Sequence, residues 1–265
     1  MKDFTKKHTY VICAYKKSPF LEQCIKSVLN QTAKSTVIMV TSTPNDYIEN
    51  LAKQYGIPLK INKGETGIVQ DWNFGYNSCS TRYVTIAHQD DVYFSNYTEE
   101  AVEILDECRK PLIYFTDYCE IRNGKKVNNN RLLKIKRLML SPLKIRSLQK
   151  SRMVRRRILA FGDAISCPTV TYVVENLPNP VFRVHFRSCE DWEAWERISK
   201  MKGSFLYNNK ICMGHRIHEG SETSIIIADN ARKKEDYEMF CKFWPKSIAR
   251  LIVSIYSKSE QSNNV

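Results

Sequence analysis

Residues 83–93 read YVTIAHQDDVY, an apolar run that ends in a histidine, a glutamine and two adjacent carboxylates, Asp90 and Asp91. Two acids at the carboxyl end of a strand can hold a hard divalent cation. Magnesium or manganese takes one or two protein carboxylates and completes its shell with water and substrate phosphates. The same pair also suits a plain turn into a following helix. A second acidic pair, Glu190 and Asp191, opens EDWEAWERISKMKG, where Trp192, Trp195 and Ile198 recur at helical intervals. A carboxylate there can act as general base, worth roughly 10²- to 10⁴-fold, or can simply favour the helix dipole. A third cluster is HRIH, residues 215–218. Arg216 and His218 alternate along an extended run, which puts a cation and an imidazole on one face, suited to a diphosphate or a metal shell. His215 falls on the other face and is not taken as a site residue. A surface strand with one satisfied histidine is the plain alternative.

The elements that must position these groups alternate regularly over the first 120 residues. TYVICAY (9–15), TVIMVTS (36–42), PLKIN, RYVTIAH and LIYFTDY have the β-branched, aromatic composition of short strands. Between them, Ser18 and Pro19 suggest an N-cap and first helical position, followed by Leu21, Cys24, Ile25, Val28 and Leu29 at helical spacing. NDYIENLAKQYG, Ile68 to Ser80 and Asn96 to Arg109 read as further helices. The pattern predicts an α/β fold with a mostly parallel sheet and helices on both faces. In such sheets ligands bind beyond the carboxyl ends of the strands. Asp90 and Asp91 lie there, as do Ala14, Tyr15 and the TSTP stretch containing Thr43. In the second half, CPTVTYVVENL contains one more strand, and SFLYNNKICMGHRIHEGSETS is extended and then turn-like. No GxGxxG follows the first strand and no GxxxxGK[ST] occurs, which removes a dinucleotide-binding dehydrogenase and a P-loop.

The charge has one source. The chain has 41 basic and 28 acidic residues among 265, and residues 125–162 alone hold thirteen basic residues and no acidic one. Outside that segment the charges balance. Leu132, Leu133, Ile135, Leu138, Met139 and Leu140 are interleaved there with Lys134, Lys136 and Arg137. The pattern fits an amphipathic element on an anionic membrane, a lid over a diphosphate, or a solvated basic face. Nucleic acid is not expected, because no aromatic or helix-turn-helix signature accompanies the patch. Nine cysteines without a CxxC pair or regular spacing favour a reducing compartment. With no secretory pattern at the N-terminus and no apolar run long enough to span a bilayer, the expected location is the cytoplasm, with contact at the inner face of the membrane. After Pro245, Ile248, Leu251, Ile252 and Ile255 share one helical face, and disorder is expected beyond Ser257.

Four stretches in order resemble the nucleotide-sugar glycosyltransferases of family 2. VICAYKKSPFLEQCIKSVLNQT (11–32) is similar to the family's opening strand and helix, and residues 64–93 to its central segment carrying the DXD-type metal motif. EDW (190–192) is similar to its base motif, and HRIHEGSETS (215–224) to its closing segment. The resemblance implies a GT-A fold over residues 1–225, with a basic helical insertion at about 125–162 and a C-terminal helical tail, 226–265. It implies metal-dependent, inverting transfer from a nucleotide-sugar donor, uridine being the commonest nucleoside, to a glycan or lipid-linked acceptor in cell-surface polysaccharide or glycoconjugate synthesis. Mn²⁺ or Mg²⁺ would be held by Asp91 with His218, and Asp191 would be the catalytic base. Ala14, Tyr15, Thr43, Asp71, Asp90 and Arg216 would bind the donor nucleotide and diphosphate. The chain departs from the family where acids after the second strand usually read the base, since TSTPNDY stands there, and His88 stands where another Asp is common. A nucleotidyltransferase acting on a sugar phosphate, or a catalytically silent membrane-associated binding protein, would share parts of this pattern.

Overall fold

A computed structural model describes residues 2–218 and 231–260. Its main sheet has nine strands. The first half is parallel, as the alternation predicts: β5 (Leu59–Ile61), β4 (Thr36–Thr41), β2 (His8–Cys13) and β6 (Tyr83–His88) lie side by side. β10 (Val170–Val173) then joins β6 antiparallel and pairs on its other edge with β8 (Pro111–Arg122). β11 (Ser204–Ile217) runs parallel to β8, β7 (Val92–Tyr93) pairs antiparallel with β11, and β9 (Lys125–Val127) with β8. A separate parallel pair joins β1 (Lys2–Asp3) to β3 (Ala33–Lys34). The short β7 matters most for function. It follows Asp91 directly and draws the end of β11 alongside the two acids.

Helices cover both faces. One core contains α1 (Leu21–Leu29), α2 (Asp46–Gln54) and α4 (Tyr97–Asp106) with Tyr10, Ile12, Met39 and Ala87 from the strands. The other contains α3 (Ile68–Asn77) and α7 (Glu190–Ser199) against Val11, Val40, Val84 and Ile86. Met239 of α8 (Ala231–Cys241) and Val253 of α9 (Lys246–Glu260) enter this second core. α8 lies within the segment, 226–265, expected to be a helical tail. Ser18 is not an N-cap: α1 begins at Leu21, and the Ser18 hydroxyl instead donates to Asp90 Oδ1 at 2.9 Å. Asn45 does cap α2, its side chain accepting from Ile48 N at 3.1 Å. On α9, Ile252 turns inward while Ile248, Leu251 and Ile255 face out, so the four do not share a face. Residues 261–265 of the tail expected to be disordered, and residues 219–224 of the closing segment, lie outside the described residues.

The basic stretch folds into β9, α5 (Arg131–Leu140), two short 3₁₀ turns and α6 (Arg152–Leu159). Its most buried cation is structural. Arg155, 1% exposed, donates to the carbonyls of Ser199 at 2.8 Å, Gly203 at 2.6 Å and Met201. These carbonyls belong to the end of α7 and the turn after it, where helix geometry leaves acceptors without partners. Arg155→Met keeps the bulk but strands all three. It is expected to lower stability by about 3 kcal/mol, most of it desolvated acceptor cost. An unchanged urea midpoint would show that the turn is held by other contacts.

Candidate active site

The acid turn sits where β6 ends and β7 begins. Asp91 is 1% exposed, and its Oδ1 accepts from the backbone N–H of Arg216 at 2.8 Å. His215 Nδ1 lies 3.0 and 3.3 Å from its two oxygens. The Asp91 carboxylate thus continues the β7–β11 ladder one step past Val92, which is why its partners lie on β11. Burial works against its charge, but His215, His88 and the Arg216 N–H together outweigh that and hold the carboxyl below the ordinary carboxylate value. For His215 the sign is reversed. Burial disfavours the cation, Asp91 more than compensates, and the imidazole is raised above its usual value. Excluding His215 by strict strand alternation is therefore corrected: at a sheet edge the turn lies beside the ladder, within reach of both faces. Asp90 accepts from Ser18 and lies 3.1 Å from His218 Nε2, while its carbonyl accepts from Arg216 Nε at 2.9 Å. The Arg216 guanidinium also donates to Gln23 Oε1 and stacks 4.3 Å over Phe20.

A second group lies along the ends of β2, β4 and β5. Ala14 is buried, its N–H bonded to Val40 O at 2.9 Å. Tyr15 is exposed, and its backbone exchanges two hydrogen bonds with the Gln89 side chain, at 2.9 and 3.1 Å. Thr43 Oγ1 accepts from Lys16 N at 2.7 Å, fixing Lys16 at φ 52°. Asp71, from α3, is buried and accepts from Ser42 Oγ at 2.6 Å and Asn62 Nδ2 at 2.8 Å. The hydroxyl of the TSTP stretch thus orients an acid that arrives from another element. Trp72, the next residue, stacks on His88 with ring centres 5.1 Å apart. His88 Nε2 is buried without a hydrogen-bond partner among the described residues, and burial lowers its proton affinity.

The third group surrounds Asp191. Its Oδ1 accepts from Trp192 N at 2.7 Å at the start of α7. Burial pushes its pKa up, opposed by Arg232, Lys136 and a hydrogen bond with Asp163. Asp163, in the turn after α6, is pushed well above the usual range by burial and by the charge of Asp191. The two carboxyls therefore raise the cost of charging one another. Glu190 beside them is raised to about 8, mainly by burial. Lys136 reaches this group from α5. Its ammonium lies 5.8 Å from the Tyr118 ring centre. Burial opposes its charge, but Tyr118, Asp163 and Asp191 raise it. Lys136, Asp163 and His215 are the members that sequence reading passed over. Only the spacing of Lys136 between Leu133 and Leu140, both buried, hints that it faces inward.

The oxygen and nitrogen donors around the turn are two carboxylates, the imidazoles of His215 and His218, and the unpartnered nitrogen of His88. Among the described residues no three His, Cys, Asp or Glu groups converge on one point. An ion at this turn would therefore have few protein ligands and would be completed by substrate oxygens.

Residues 9–161 match the model of glycosyl transferase family 2. The chain is 25% identical over 213 residues to the uncharacterized glycosyltransferase RC0461 of Rickettsia conorii, covering 78% of this chain and 33% of that one. It is 21% identical over 243 residues to the uncharacterized glycosyltransferase RT0329 of Rickettsia typhi, covering 91% and 72%. The chain thus spans about a third of the first relative's length. Among solved structures it is similar to S. aureus TarS 1–349 in complex with UDP-GlcNAc, with TM-score 0.63 and 14% identity over 93% of this chain and 70% of that one. It is also similar to the mannosyltransferase PcManGT from Pyrobaculum calidifontis in complex with GDP-Man and Mn²⁺, with TM-score 0.63 and 11% identity over 97% and 72%. The fold is GT-A-like.

Proposed function

The chain belongs to glycosyl transferase family 2, and from that premise we propose that it moves a sugar from a nucleotide-sugar donor to a hydroxyl of a glycan or lipid-linked acceptor, by direct displacement with inversion. The observation that carries this reading is the order of groups at the strand ends. A buried hydrogen-bond acceptor, Asp71, stands at β4 and β5; the acid turn with its histidines and Arg216 stands at β6; Asp191, with Asp163 near it, lies at the start of α7. The base and ribose would lie against Asp71, Thr43 and Tyr15, with Asp90 near the ribose. Arg216 would face the diphosphate. A divalent ion, Mn²⁺ or Mg²⁺, would be held by Asp91 and His218 and would neutralise charge on the leaving diphosphate. Asp191 takes the acceptor proton as the oxygen bonds to the anomeric carbon and the bond to diphosphate breaks. The expected setting is the cytoplasmic face of an anionic membrane, in cell-surface polysaccharide or glycoconjugate synthesis.

The donor end supplies the test. A carboxylate already taking two hydrogen bonds keeps lone pairs for a ring N–H, so Asp71 favours a uracil or guanine edge over cytosine. Nucleotide-sugar binding measured by calorimetry with and without Mn²⁺ should find one preferred donor. Asp71→Asn should weaken that donor about tenfold, the scale of a hydrogen bond to a charged group. Failure of every donor to bind would overturn the reading in favour of a silent binding protein. Release of pyrophosphate from a nucleoside triphosphate and a sugar phosphate would instead favour the nucleotidyltransferase.

A further inference from the structure

We infer that His88 is the residue that reads the transferred sugar, its ring nitrogen Nε2 pairing with a sugar hydroxyl of the bound donor. The inference rests on the transferase reading above and supplies a sugar contact that reading leaves unassigned.

Strand alternation places Val84, Ile86 and His88 on one face of β6. Val84 and Ile86 are fully buried in the core that holds α3 and α7. His88 comes next, a polar side chain one step past that core. Its ring lies nearly flat on Trp72, 16° from parallel with centres 5.1 Å apart. Trp72 packs in turn against Phe182, with ring centres 4.9 Å apart, so the imidazole rests on a fixed platform. Nε2 is buried and has no hydrogen-bond partner among the described residues. Buried polar atoms without a partner are uncommon in native proteins, and a substrate hydroxyl accounts for this one. Burial lowers the proton affinity of the ring, so near neutral pH Nε2 presents an N–H or a lone pair, either of which a hydroxyl can meet.

The position selects the ligand. Asp71, the residue before Trp72, stands at the nucleoside end of the site. The charges of Asp91, Asp90 and Asp191 all act on His88. His88 therefore stands among the three groups the reaction needs: nucleoside contact, acid turn and base. A sugar bonded through its anomeric carbon to a diphosphate at the acid turn, with that carbon turned toward Asp191, has to lie between them. A hydroxyl arriving there gives Nε2 the partner it lacks. A metal ion is the poorer partner. Asp91 turns toward β11, where it meets the Arg216 N–H and His215, whereas the His88 ring turns toward α3 and lies on Trp72.

Calorimetry tests this with the nucleoside diphosphate alone, with its nucleotide sugar, and with donors lacking single sugar hydroxyls, Mn²⁺ being present throughout. In wild type, removal of one particular hydroxyl should weaken the donor about tenfold. His88→Phe keeps a ring on Trp72 and removes both nitrogens. It should weaken the intact donor about tenfold, leave the nucleoside diphosphate within about twofold, and be indifferent to the hydroxyl that matters to wild type. His88→Gln keeps a hydrogen-bonding group and should recover part of the loss. Equal loss for the diphosphate and for the nucleotide sugar would overturn the inference by placing the ring at the nucleotide or the ion. So would unchanged affinity in the phenylalanine variant, or a wild type that tolerates the loss of every sugar hydroxyl, since His88 would then serve packing alone. A wild type that binds no nucleotide sugar at all would overturn the transferase reading and this contact with it, whereas failure of the inference alone shows only in the variants and the deoxy donors.

Discussion

Asp191→Asn is expected to lower turnover by about 10³-fold, within the usual range for loss of a general base, while donor affinity stays within about twofold. The substitution keeps shape and keeps an acceptor for the Trp192 N–H, so the first turn of α7 should survive. What it would remove is the proposed site for the acceptor proton. The surroundings give a finer signature. Asp191 is raised by burial, and the neighbouring groups acting on it are Arg232 from α8, Lys136 from α5 and Asp163 from the turn after α6. Glu190 and Cys167 lie within reach of its charge. A base must be unprotonated to act, so kcat should rise with pH through the Asp191 value and show an acid limb above the ordinary carboxylate range. Lys136 stabilises the ionised form. Lys136→Met should therefore move that limb to higher pH, and Lys136→Arg should restore it. Stopped-time product assays across pH 5 to 9 would read all three variants. Normal turnover in the asparagine variant with donor bound would remove Asp191 from the chemistry. An unmoved acid limb in the methionine variant would reduce Lys136 to packing.

The sequence makes the parallel half of the fold readable because β2, β4 and β5 are each short and followed by a helix, and β6 is a short apolar run closed by the acid turn, a pattern local to each unit. The antiparallel half is harder for a physical reason. β10 is buried between two partners from distant parts of the chain, and β11 carries register shifts between Asn208 and Met213 that no periodicity announces. The same long-range pairing decides the site. His215 reaches Asp91 only because two residues, Val92 and Tyr93, pair with β11. Asp163 meets Asp191 only because α6 packs on α7. Lys136, one of thirteen basic residues between positions 125 and 162, reads as one more member of a charge run until α5 is docked. Asp90 and Asp91 are legible because they come just after a recognisable strand, and Asp191 because it opens a recognisable amphipathic helix. Groups that come from the far side of a tertiary contact leave no such mark.

The second large effect is at Asp91, where two roles meet on one side chain. Asp91→Asn is expected to cost about 3 kcal/mol of stability, the scale for breaking a buried ion pair by removing one partner. The carboxylate is the counter-charge for His215 and the acceptor for the Arg216 N–H, so its loss loosens the end of β11 where it closes on β7. The same variant should lose the metal-dependent part of donor binding. Asp90→Asn provides the contrast. Asp90 is partly open and holds Ser18 and His218 rather than a buried ladder, and exposed pairs contribute at most about 1 kcal/mol. It should keep nearly the wild-type urea midpoint while weakening the donor. Comparing the two by urea denaturation and by calorimetry with and without Mn²⁺ separates folding from binding. If the Asp91 variant, measured well below its unfolding transition, binds donor with the metal dependence of wild type, the ion is held elsewhere. Asp91 would then be what its burial alone suggests, the residue that joins two strands at the mouth of the site.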